Sequence, residues 1–220
     1  MPKNNMLRWL TGRTDTQIAA QRLYDAIVAQ SRLPVFYQRL GVPDTVTGRF
    51  EMIVLHMFLV LERLQTEPTE TAERAARIGQ ALNEAFIGDM DSAMREMGVA
   101  DVRVGKRMHQ AAGAFFGRLM AYRKALDGTH AQGKDAPDPL VAAIARNVLA
   151  DLVAGDGADR EPADVRTRAV QIPADLTKAA AALAAYMRAA TAALAGIDLP
   201  VLSVGEIIWP AAEEHENFRR

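Results

Sequence analysis

The side chains that could do chemistry are few and scattered in this 220-residue chain. It has no cysteine, which excludes disulfides, thiolate zinc sites, iron–sulfur clusters and a cysteine nucleophile. None of its four histidines has a second histidine at the spacing that places two metal ligands on one helix face. The serines lack a nucleophile-elbow context, and there is no phosphate-binding glycine loop. We therefore predict no catalytic residue, no cofactor and no metal site.

Two features still invite a chemical interpretation. His56 lies inside the most apolar segment of the chain, where it is either a buried acid, base or ligand, or a hydrogen-bonded core residue. The second interpretation is favoured because buried polar groups are usually satisfied structurally. Asp89 and Asp91 could together hold Mg²⁺ or Ca²⁺. However, they stand where a helix is predicted to begin, and carboxylates stabilise that end of a helix, so capping is favoured over metal binding.

Composition and charge define the broad class. Half of the residues are apolar and 24% are charged, which is typical of a globular protein rather than a disordered one. The formal net charge of −1 argues against non-specific binding of nucleic acid by the whole molecule, and we predict no DNA partner. Residues 1–50 and 99–127 each carry a net charge of +4, so part of the molecule could face phosphates or an acidic partner.

Helical periodicity dominates the chain. The clearest pattern runs from Val104 to Leu126 in steps of three and four residues, and Gly128 ends it. Gly117 lies within this helix, and we predict that a close helix contact requires it, because glycine is unfavourable there. The predicted fold is mainly α, an orthogonal array of about seven or eight helices without a substantial sheet. Helices are predicted over residues 16–33, 49–65, 70–86, 90–97, 102–127 (with Asp101 as its cap), 140–153 and 174–195, and residues 165–172 could be extended.

Composition shifts suggest a division of the chain. We predict a flexible N-terminus (1–15), a helical core (16–127), a polar linker (128–139), a C-terminal helical layer packed on the core (140–210) and a polar tail (211–220). The longest apolar stretch, residues 52–61, is about half of the ~20 residues that a membrane span needs. With no recognisable signal peptide, we expect a cytoplasmic protein, with peripheral attachment to the inner face of the inner membrane as a further option.

An ordered set of segments resembles the ubiquinol–cytochrome c chaperone family. Residues 23–32, 34–37, 41–44 and 48–56 resemble its first signature, and residues 86–91, 94–101 and 115–122 resemble its second, in the same order and spacing. The resemblance implies an assembly factor for the cytochrome bc complex (respiratory complex III), not an enzyme. Mitochondrial relatives bind newly made cytochrome b near the ribosome exit, together with a small partner protein. The absence of a targeting sequence suggests a bacterial-type member.

This resemblance implies a surface that binds a client protein. The expected partners are cytochrome b or another membrane subunit of the bc complex, with the ribosome, an anionic membrane surface and a small partner protein as further options. Methionines in the matched region could form an adaptable groove or simply fill the core. The residues expected to contact the client or partner are Arg49, His56, Asp89, Asp91, Arg95, Asp101, Arg103, Lys106, Arg107, Arg118 and Tyr122.

Three other readings stay open at this stage. The first is a helical carrier for a hydrophobic small molecule such as haem, a quinone or a lipid, with His56 as a ligand; a closed apolar cavity would favour it. The second is a purely structural interaction module, which a large apolar patch without a cavity would fit. The third is an enzyme, which would require a cleft holding two perturbed titratable groups.

Overall fold

The fold is built from helices throughout the part of the chain that is described. A computed structural model describes residues 14–96, 101–128, 138–149 and 173–213, and no strand occurs in these ranges. The mainly α prediction is confirmed. The helices are α1 (Asp15–Ser31), α2 (Pro34–Gln38), α3 (Val46–Gln65), α4 (Thr69–Glu96), α5 (Asp101–Leu126), α6 (Pro139–Asn147), α7 (Ala174–Ala195) and α8 (Leu199–Ser203).

Local signals explain where the first helices begin. Thr14 and Gln17 form a reciprocal capping box at the start of α1. Pro34 opens the short helix α2, which the sequence did not reveal. Helix α3 begins at Val46, because the hydroxyl of Thr45 accepts a hydrogen bond from the backbone N–H of Gly48.

Helix α4 is one continuous helix, and the predicted break near Asp89 is wrong. The chain stays helical from Thr69 to Glu96, so Asp89 lies inside the helix and does not cap a new one. A single glycine such as Gly88 costs only ~1 kcal/mol within a helix. Burial of Phe86 and partial burial of Met90 on the neighbouring turn favour continuation of the helix.

Helix α3 forms the centre of the molecule. It packs against α1, α4, α5 and α7, and its segment from Met52 to Leu61 is buried on nearly all sides, as its apolar sequence predicts. Gly48, near its start, has no room for a side chain, since a Cβ there would lie 2.0 Å from the carbonyl oxygen of Pro43. The centre of the fold is thus fixed both by its apolar sequence and by a close backbone approach at its first turn.

The helices after residue 138 pack on those before residue 127. Helix α6 lies against α5 and α7, α7 lies against α3, and α8 lies against α1. The division of the chain into a core and a layer stays a prediction, because most of the linker, residues 129–137, is outside the described ranges. The predicted flexible N-terminus up to residue 13, the extended segment 165–172 and the tail after residue 213 are outside them too. Among the described helices, none is long and apolar enough to cross a membrane.

Candidate partner-binding surface

A buried ion pair fixes helix α5 on the central helix α3. The Arg118 guanidinium donates two hydrogen bonds to the Glu51 carboxylate, one of them from Nε to Oε2 at 2.5 Å. The side chain of Glu51 is 1% exposed and that of Arg118 is 11% exposed. Bidentate pairing is the geometry in which arginine best compensates a buried carboxylate. Arg118, predicted to contact a partner, therefore holds α5 in place.

Two aromatic contacts reinforce this attachment. Tyr122, one turn after Arg118, is fully buried, and its ring lies 5.5 Å from that of Phe58 on α3. Burial, with the nearby charge of Glu51, raises the pKa of the Tyr122 phenol above its ordinary value. Phe115 packs at 4.8 Å from Phe86 of α4. One side of α5 thus packs against α3 and α4.

The predicted carboxylates of α4 have partners within the chain. Asp89 accepts a hydrogen bond of 2.7 Å from the phenol of Tyr24 on α1. Burial and then this hydrogen bond raise the pKa of Tyr24. Asp91 pairs with Arg95 one turn later, at 2.8 Å. Among the described residues, no group of three or more acidic or histidine side chains could hold a metal ion.

His56 is a core residue whose two ring nitrogens are both engaged. Nδ1 lies 2.8 Å from the carbonyl oxygen of Met52, and Nε2 lies 2.8 Å from the hydroxyl of Tyr186 on α7. The side chain of Gln30 donates to the same hydroxyl, and the Trp209 ring packs 5.1 Å from the imidazole. Burial lowers the pKa of His56 to about 4, against a smaller opposing effect of the hydrogen bond to Met52, so the ring is neutral at pH 7.

The surroundings of His56 do not favour the carrier reading. A haem ligand needs a ring nitrogen free to bind the metal, and both nitrogens here already have partners. A cleft of about 250 Å³ lies away from this histidine and is lined partly by the polar side chains Gln38, Arg39 and Glu213. This partly polar cleft differs from the enclosed apolar cavity that a hydrophobic small molecule requires.

The remaining predicted partner contacts lie at the surface or outside the described side chains. Arg49 is exposed and pairs with Asp44 at 2.6 Å. The backbone of α5 includes four further predicted contacts, whose side chains are not among those described. These four residues are Asp101, Arg103, Lys106 and Arg107.

The outward side of α5 carries an exposed apolar surface that the sequence analysis did not single out. Phe116 is 54% exposed and Met120 is 62% exposed, one helical turn apart. Gly113 and Gly117 are exposed on the same side of the helix. No described atom lies within 4 Å of a Cβ built on either glycine. No helix in the described ranges therefore makes the close contact predicted at Gly117. We call these four residues the α5 face.

A clear signal for the α5 face was present in the sequence. The stepping pattern placed Phe115 on the buried side, and a residue one position further on a helix points about 100° away. Phe116 was thus left over as an aromatic residue outside the buried stripe. By contrast, Met52 and Met57 are fully buried, so these two methionines fill the core.

The fold and this surface define a class of protein. In the described ranges it is an all-α protein that exposes large apolar side chains, among them those of the α5 face. The buried Glu51 pairs with Arg118, and the buried histidine is hydrogen-bonded to the Met52 carbonyl and the Tyr186 hydroxyl. A family profile described as "Ubiquinol-cytochrome C chaperone" matches residues 38–209, most of the chain. The chain belongs to the ubiquinol–cytochrome c chaperone family.

Two individual proteins are similar to the chain. A fruit fly protein, ubiquinol–cytochrome c reductase complex assembly factor 1 of Drosophila melanogaster, is 23% identical over 107 residues. That match spans 48% of this chain and 41% of the fly protein. The crystal structure of the Cbp3 homolog from Brucella abortus superposes with a TM-score of 0.66 and 30% identity, covering 91% of this chain and 93% of that one.

Proposed function

We propose that this protein is an assembly chaperone of the ubiquinol–cytochrome c reductase (cytochrome bc) complex. It holds newly made cytochrome b, or another hydrophobic subunit, until the subunit is incorporated. The observation that carries the proposal is the family match over residues 38–209. The fly relative, named as an assembly factor of the same complex, supports it.

The chemistry of such a client explains what the chaperone must supply. A membrane-spanning helix outside the bilayer exposes about 20 apolar residues and tends to aggregate. A chaperone that covers part of this surface needs apolar side chains that are held outward at no cost to its own core. Arg118, Phe115 and Tyr122 attach one side of α5 to the body and leave Phe116 on the other side.

We place this work at the cytoplasmic face of the inner membrane, where a bacterial cytochrome b enters the bilayer. A membrane-embedded client has loops and lipid neighbours with charges of their own. The basic residues near the start of α5 suit contact with acidic loops of the client or with anionic head groups. No catalytic step is needed, since holding and releasing a subunit requires only differential binding.

Reversing two positive charges in α5 tests the proposal. We expect the tagged wild-type chain to co-purify cytochrome b from detergent-solubilised cells, and the R103E/R107E variant to recover about tenfold less, by loss of electrostatic complementarity. The melting temperature of the variant should match that of the wild type. R74E/R77E, which reverses two charges on α4 instead, is the control and should co-purify normally. Absence of cytochrome b from the wild-type preparation would contradict the proposed client.

A further inference from the structure

We infer that the α5 face, where Phe116 and Met120 stand beside Gly113 and Gly117, is the docking site for an apolar membrane helix of the client. This inference rests on the proposed function and adds the surface and the kind of segment bound. Phe116 and Met120 supply the apolar contact, since both are more than half exposed and are neighbours on successive turns. The two glycines supply a shallow groove beside them.

The glycines have no explanation within the described part of the chain. A glycine inside a helix is unfavourable relative to alanine, and each of these two glycines lowers the stability of α5. Where glycine serves packing, as at Gly48, a Cβ would collide with a neighbour. At Gly113 and Gly117 no described atom lies within 4 Å of the built Cβ. A partner that approaches the backbone closely gives these residues a role.

An apolar helix fits this surface better than a lipid bilayer does. Small residues four apart are the feature that allows two helix backbones to approach each other, and membrane helices commonly associate through such positions. Fluid lipid needs no such groove. The bound surface is also preformed, because Arg118 and Phe115 attach the opposite side of α5 to α3 and α4. The partner therefore meets a fixed ridge and groove, as in helix-in-groove recognition.

Charge at the two ends of the helix specifies the partner further. Lys124, one turn after Met120, is exposed. The first two turns of α5 contain Arg103, Lys106 and Arg107 against the single acid Asp101. By helical register Lys106 stands on the same side of α5 as Gly113, and Lys124 stands on the same side as Met120, so the α5 face complements a membrane helix whose flanking loops are acidic. The proposed partner of the α5 face is therefore an apolar helix of the client with acidic flanking loops.

A single introduced cysteine tests the site, because the chain has none of its own. Met120→Cys and, as the control, Val46→Cys are labelled with a benzophenone maleimide and added to a membrane-containing extract that synthesises cytochrome b. Both native side chains are apolar and exposed, at 62% and 72%. We expect about tenfold more light-induced adduct with cytochrome b from position 120 than from position 46. Equal adducts from the two positions would overturn the inference.

A glycine replacement separates docking from folding. Gly117→Leu should raise the melting temperature by about 2–4 °C, because leucine favours the helix, and the added side chain should fill the groove. We expect the cytochrome b adduct from the label at position 120 to fall about tenfold when this replacement is combined with Met120→Cys. Gly88→Leu on α4 also has open space around its Cβ and is the matched control, expected to stabilise without lowering the adduct. An undiminished adduct in the Gly117→Leu variant would refute the docking site.

Three other results would also overturn the inference. They are an adduct with phosphatidylglycerol vesicles in place of cytochrome b, an adduct with a second copy of this chain, and no adduct while the unlabelled chain still co-purifies cytochrome b. In the last case the proposed function stands and the site is elsewhere. Failure of the co-purification itself would instead remove cytochrome b as the proposed client.

Discussion

Replacing Arg118 by alanine is expected to lower the free energy of unfolding by about 3–5 kcal/mol, because the carboxylate of Glu51 is then left buried without its counter-ion. The side chain of Glu51 is 1% exposed, so water cannot take over the role of the Arg118 guanidinium. Urea unfolding followed by circular dichroism measures the change. A loss of this size is a large share of the stability of a typical domain, and α5 is expected to loosen from α3.

Two companion variants make this prediction specific. Arg49→Ala removes an ion pair whose side chains are 59% and 57% exposed, and should cost far less stability because water screens the two charges. The double variant E51L/R118L removes both charges from the interior and should lose less stability than Arg118→Ala alone, although it has lost the same pair. If Arg118→Ala were as mild as Arg49→Ala, the buried pair would not be what holds α5.

Acidification is expected to destabilise the protein through His56. In the folded state its pKa is about 4, whereas an unfolded histidine has a pKa of 6.5, so the unfolded chain binds the proton more readily between these values. Above pH 6.5 the neutral His56 makes its full contribution to the free energy of unfolding. As the pH falls towards 4 it decreases by about 1.4 kcal/mol per pH unit, about 3 kcal/mol in all.

The test of this prediction compares how steeply the free energy of unfolding changes with pH in two proteins, rather than its value at one pH. Urea unfolding between pH 7 and 4.5 is recorded for the wild type and for His56→Gln, which cannot titrate in this range. The variant is less stable at every pH because it disturbs the hydrogen bond to Tyr186, but its decline towards acid should be shallower. The other histidines are present in both chains and cancel. Identical slopes would show that His56 is not the buried neutral base described above.

Much of the helical framework was predictable because its signals are local. The bounds of α7, Ala174–Ala195, match the predicted helix, since an alanine-rich run ends at a glycine. The positive φ of Gly128, +63°, fits its place after the end of α5. Helix α2 was missed because five residues are too few to show a period. Asp89 misled the prediction because its partner, Tyr24, lies 65 positions away.

The candidate site was less predictable, for a related reason. Charged and aromatic residues that match a family pattern can serve either the fold or the partner, and the sequence does not separate these uses. Arg118 and Glu51 are 67 positions apart, and His56 and Tyr186 are 130 apart, so their pairing follows only from the tertiary arrangement. Phe116 was predictable in principle, because it lies next to a buried stripe position but outside the stripe.

The central claim is that this protein is needed to assemble the cytochrome bc complex. Its most direct test is reduced-minus-oxidised difference spectra of membranes from a strain that lacks the gene. We predict loss of the b- and c-type cytochrome signals of the bc complex, intact signals of the terminal oxidases, and recovery when the wild-type gene is returned. A deletion strain whose membranes keep a normal bc complex spectrum would contradict the account.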